Sequence, residues 1–198
     1  MKRWVWYVIA GLVFALAGGG VLYGVLTHKE PGLLKVCFKG GIALYEPNCE
    51  ELKWKKEQLP LKYHIDFGAD HKVYVESVVK AADMWNSEIC TVFQRVDRAE
   101  DAVIKVSWGS YDSGQDCAAG YVQHKGHSGP QSAILVLKNP SDVHAVFRFA
   151  AHEWGHVLGL AHDEHAIMKP ALADVTTGLK FTLPSDFDKK LLRGLLCQ

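Results

Sequence analysis

The chain has 198 residues, 48% apolar and 22% charged, and its 22 basic and 22 acidic side chains balance to zero. That length holds one ordinary domain plus an appendage, and the composition favours a buried core over disorder. No basic stripe or patch stands out, so nucleic acid is set aside as a partner.

Residues 1–3 form a short head, read as cytoplasmic. Trp4 to Leu26, "WVWYVIAGLVFALAGGGVLYGVL", then contains no charged residue. A helix of that length reaches about 34 Å, enough to cross a hydrocarbon core of about 30 Å. Lys2 and Arg3 precede it, and Trp4, Trp6 and Tyr7 suit the headgroup level. The span is read as a signal-anchor. Ala15-Leu16-Ala17 offers the alternative of a cleaved signal peptide, but the apolar run continues well past Ala17. A three-residue head is easily retained in the cytoplasm, so the globular part is expected outside it, membrane-anchored, or secreted if the segment is cleaved.

Residues 27–58 are rich in lysine and turn formers and show little periodicity, which reads as a stalk or looped cap. The five cysteines, Cys37, Cys49, Cys90, Cys117 and Cys197, include no C-x-x-C pair. In an exported domain Cys37–Cys49 and Cys90–Cys117 are the expected disulfides, with Cys197 left over. Five reduced, partly buried thiols are the alternative.

From Leu59 the texture changes. Leu61, Tyr63, Ile65 and Phe67 alternate with Lys62, His64 and Asp66, the pattern of a half-buried strand. Val75, Val78, Val79, Ala82 and Trp85 follow at helical spacing. Ala102, Ile104, Val106 and Trp108 alternate again. Residues 109–129 read as loop, interrupted by a short edge strand at Gly120 to His124. "SAILVLK" reads as a strand buried on both faces. Ser141-Asp142 can cap a helix running to about Gly159, and Ser185-Asp186 can open a last one carrying Phe187, Leu191, Leu192 and Leu195. This order predicts an α/β or α+β domain over residues 59–198.

Within the second of these helices lies "HEWGHVLGLAH", residues 152–162. His152 and His156 stand four apart, on one helical face about 5 to 6 Å from each other, so both imidazoles can reach one ion. Glu153 flanks that face, where it can touch a metal-bound water without ligating the metal. Gly159 lets the chain leave the helix sharply and return His162 as a third nitrogen. Three ligands with one open position describe a catalytic zinc site rather than a structural one. His144 faces similarly but lies about 12 Å away along the axis, and His28, His64 and His71 read as surface residues.

"HEWGHVLGLAHD" followed by "AIMKP" resembles the metzincin zinc endopeptidases, with their H-E-x-x-H-x-x-G-x-x-H pattern and methionine turn, and most of all the matrixins. "LKYHIDFG", "AADMW", "AVIKVSW" and "SDFDKKLLRGLL" fall in matrixin order, so the similarity spans about 59 to 198. It implies an α+β zincin fold: a twisted mixed sheet, mostly parallel with one antiparallel edge strand, and three helices, with the zinc on the floor of a cleft. It implies one catalytic zinc held by His152, His156 and His162, Glu153 as catalytic base on the zinc-bound water, and Met168 beneath the site, where ordinary core packing is the alternative. The expected partner is a protein or peptide substrate, cut at internal bonds by a monomer.

The sequence also departs from that family. The His-x-Asp ligands of a second, structural zinc are missing, and His124 and His127 read as exposed loop residues. A structural calcium finds no support in the sequence. The P-R-C-G-x-P-D latency motif is absent, with only a weak echo around Cys49, and Asp163 follows the adamalysin branch. Glu164 and His165 fit the ligand offsets less well than His162. Two other functions stay open: a zinc hydrolase of cell-wall peptides, and a non-catalytic binding module on the same fold.

Overall fold

Eight strands and three α-helices are formed by the described residues of the computed structural model, which are 32–39, 42–45, 49–109, 120–126, 129–137, 143–162, 166–168 and 183–197. The strands are β1 (Lys35–Lys39), β2 (Ile42–Tyr45), β3 (Glu50–Glu51), β4 (Leu61–Asp66), β5 (Phe93–Arg95), β6 (Ile104–Trp108), β7 (Gly120–Gly126) and β8 (Pro130–Leu137). The helices are α1 (Val75–Glu88), α2 (Val143–Val157) and α3 (Asp186–Leu196).

One sheet of order β3-β1-β2-β7-β8-β6-β4-β5 carries the whole domain. Its second half is parallel, with β5, β6 and β8 joined through β4 and β6, and β7 runs antiparallel to β8. The expected α+β architecture of three helices with a mostly parallel sheet from residue 61 onward is therefore present. The alternation read along β4 and β6 places Leu61, Tyr63, Ile104 and Val106 in the core. Continuous apolar character in β8 likewise buries Ala133, Leu135, Val136 and Leu137. Strand β5 has no readable period, because three residues are too few to display one.

Helices α1 and α2 are tied by two reciprocal bonds. The Trp85 indole N–H donates to Ala151 O at 2.8 Å, and the Trp154 N–H donates to Val78 O at 3.2 Å. Both rings are fully buried, so each contributes a large apolar surface without orphaning its one polar atom. Trp154 also packs edge-on to Tyr63 and tilted against Phe93, with centroids at 5.0 and 4.5 Å. That wedge seats α2, and with it the histidines, on the parallel strands. Helix α3 opens on a capping box: Ser185 Oγ accepts from the Asp188 N–H, and the Asp188 carboxylate accepts from the Ser185 N–H.

Several expectations need correction. Within residues 27–58, set apart above as a stalk or cap, β1, β2 and β3 are hydrogen-bonded members of the sheet. Short strands interrupted by turns hid the pattern. In consequence β7 is not an edge strand, because β2 meets its outer side at Ile42↔Lys125. The Cys37–Cys49 disulfide is formed, but Cys90 pairs with Cys197 and not with Cys117. Cys90 lies just beyond α1 and Cys197 caps α3, so the bond joins two helix ends that are distant in sequence. Cys117 lies outside the described residues, as do His28, His127, the Ser141-Asp142 cap and the Trp4–Leu26 span. Among the described residues no helix is long and apolar enough to cross a membrane.

Candidate metal centre

Helix α2 delivers the first two histidines. His152 is buried and His156 half-buried, while His162 is exposed. Their Nε2 atoms converge: His152 to His156 is 3.1 Å, His152 to His162 3.2 Å, and His156 to His162 3.0 Å. An ion held tetrahedrally at about 2.0–2.1 Å from each nitrogen would set them about 3.3–3.4 Å apart. The trio therefore fits a zinc ion in size and shape, and these three residues form the one metal-competent cluster among the described residues.

Tautomer chemistry points the same way. His152 Nδ1 lies 2.7 Å from Ile167 O and His156 Nδ1 lies 2.8 Å from Leu160 O. A carbonyl only accepts, so each Nδ1 carries the proton and each Nε2 presents a lone pair to the centre. Burial pushes the His152 pKa down to about 4, and burial with the neighbouring histidines pushes that of His156 down to about 3. Both rings are thus neutral at pH 7, the form that ligates a metal. Lone pairs aimed at one point repel unless a cation lies between them.

The turn after α2 is built by Gly159, whose φ of 97° is left-handed and suits glycine. It carries the chain to His162. Below, the Ala166–Met168 3-10 turn returns under α2. Met168 is fully buried against Gly155, where a Cβ would overlap its Sδ. Ile167 of this turn supplies the carbonyl that orients His152. Glu153 is 7% exposed, and its Oε2 has no hydrogen-bond partner. Burial raises its pKa to about 8.

Reading the sequence missed four contributors. The carbonyls of Ile167 and Leu160 leave no trace in side-chain pattern. Trp54, buried, donates from Nε1 to Val157 O at 2.7 Å. His124, expected in an exposed loop, is instead fully buried on β7 with Nε2 3.2 Å from Val157 O. The period of β7 could have suggested that burial. His64 and His71, expected on the surface, are half-buried, and His71 stacks on Trp108 at 4.4 Å. His144 is exposed and takes no part in the cluster. The fit of Asp163, Glu164 and His165 falls outside the described residues.

A helix bearing two histidines, a glycine turn to a third and a buried methionine below, all on a mixed sheet, define a matrixin-like metzincin catalytic domain. The chain belongs to the matrixin family of zinc-dependent metallopeptidases, whose family model matches residues 53–193. No curated protein matches it.

Proposed function

We propose that this protein is a zinc-dependent endopeptidase in which His152, His156 and His162 hold one zinc ion and Glu153 is the catalytic base. The observation that carries the reading is the buried Glu153 carboxyl, adjacent in sequence to one histidine of the cluster and with one oxygen unpartnered. An orphaned buried oxygen costs about 1–3 kcal/mol, a cost that makes sense if a proton has to arrive there. Zinc bound at the histidines supplies Lewis acidity, polarising a peptide carbonyl and making water nucleophilic near neutral pH. Glu153 takes the water's proton during attack and passes it to the leaving amine. A carboxyl raised to about 8 by burial is drawn down again by a nearby cation, which sets it near the working pH.

An extended substrate strand lies along the stretch of β7 that β2 leaves unpaired, Gly120 to His124. Among the described residues β2 takes up the outer side of β7 only at Lys125. The two disulfides support a domain folded in an oxidising compartment. Trp4–Leu26 then serves as the anchor, with the domain outside the cytoplasm, acting as a monomer. Mass spectrometry of products from a proteome-derived peptide library tests the reading. Internal, chelator-sensitive cuts are expected. Trimming from one end, or hydrolysis of cell-wall crosslinks alone, would contradict it.

A further inference from the structure

The family match begins at residue 53, yet the residues just before it lie directly on the ligand-bearing turn. Leu33 forms an antiparallel bridge with Leu160. The Leu34 N–H donates to Gly159 O at 2.7 Å, and the Ala161 N–H donates to Gly32 O at 2.9 Å. Leu34 O in turn accepts from the Leu52 N–H at 2.6 Å. Gly159 lies so close to Leu52 O that a Cβ there would collide with it. Gly32–Leu34 is therefore a short extended segment bridged antiparallel to Gly159–Ala161 and backed by Leu52.

Three consequences converge on the metal centre. Leu160, bridged to Leu33, is the residue whose carbonyl accepts the His156 Nδ1 proton. Ala161, held by Gly32, is the neighbour of His162. Val157, next to His156, has one of the carbonyls left over at the end of α2, and it accepts from Trp54 Nε1 at 2.7 Å. The Cys37–Cys49 disulfide closes the loop between the two contacting stretches.

We propose that residues 32–54 form a positioning strap that sets the orientation of His156 and the approach of His162, so that high zinc affinity depends on a segment of which all but the last two residues precede the matched family domain. The strap is then a permanent part of the site and not a propeptide to be removed. This inference rests on the reading that the three histidines hold zinc.

The test is the zinc dissociation constant of the full chain, measured by chelator competition without substrate. Leu34→Pro deletes the N–H given to Gly159 O. Trp54→Phe keeps a ring and deletes the N–H given to Val157 O. Ser185→Ala, at the cap of α3, serves as a comparator that lowers stability away from the site. Both strap variants are expected to bind zinc at least about tenfold more weakly, as expected for outer partners of ligating histidines. Their metal-free melting temperatures should fall no further than that of Ser185→Ala, which keeps wild-type affinity within twofold. Affinity within twofold of wild type in both strap variants would overturn the proposal, as would an equal loss in Ser185→Ala. Tight zinc binding without peptide cleavage would overturn the endopeptidase reading and leave the strap standing; no zinc binding by the wild type would overturn both.

Discussion

Met168 packs into the space that a side chain at Gly155 would need. Gly155 lies between His152 and His156 on α2, so the methionine turn reaches the helix backbone directly beneath these two histidines. Gly155→Ala has to displace that sulfur. Overpacking of about 1–3 kcal/mol outweighs the helix-propensity gain of up to about 1 kcal/mol, leaving a net loss. Gly194 on α3 has nothing within 4 Å of where its Cβ would stand, so Gly194→Ala should stabilise by about 0.4–1 kcal/mol. Denaturant midpoints of the two variants test the contrast, and equal gains would contradict the packing account.

Replacing Glu153 separates binding from chemistry. Glu153→Gln is expected to keep one zinc per chain and to lower kcat by about 10²–10⁴-fold. The same variant should stabilise the metal-free protein at pH 7–8. A carboxyl whose folded pKa is raised to about 8 contributes stability below its ordinary value of 4.5, and that stability is lost as pH rises towards 8. An uncharged amide escapes this loss. Melting curves of metal-free wild type and variant at pH 5 and pH 8 check it: the difference should grow with pH.

His124 makes a prediction of opposite sign. Burial holds its pKa down at about 4, below the ordinary 6.5. The folded protein keeps the ring neutral while the unfolded chain accepts a proton, so stability is intact above pH 6.5 and lost as pH falls towards 4. The loss amounts to at most about 3 kcal/mol. In the metal-free protein, His124→Gln should flatten the fall in melting temperature between pH 7 and pH 4.5. An unchanged slope would mean that the ring titrates as it does in water.

The disulfide pattern is open to direct chemistry. Non-reduced peptide maps should contain the Cys37–Cys49 and Cys90–Cys197 linkages. Cys197→Ser, which opens a bridge spanning 107 residues, should cost about 2–4 kcal/mol. A Cys90–Cys117 peptide would contradict the arrangement of α1 against α3.

The histidine cluster was legible because its determinants are side chains at fixed offsets on one helix and one glycine turn. His152 and His156 need only helical geometry to face one point, and the left-handed turn at Gly159 brings His162 to it. The elements around β4, α1, β6, β8 and α3 were legible for the same reason, since burial imposes periods of two or 3.6. What stayed hidden lies in backbone contacts and long-range partners. Nothing in the local sequence shows that Leu33 will bridge Leu160, or that Cys90 will find Cys197. Lys35 to Glu51 alternates too briefly between turns to reveal β1, β2 and β3. His124 was misread because its polarity suggested a loop, whereas Val157 O satisfies it within the core.

The most direct measurement is zinc content beside turnover of an internally quenched peptide, for the full-length wild type and Glu153→Gln. The account predicts one zinc per chain in both, with chelator-sensitive cleavage confined to the wild type. Equal cleavage by the two proteins, or a wild type that binds no zinc, would contradict it.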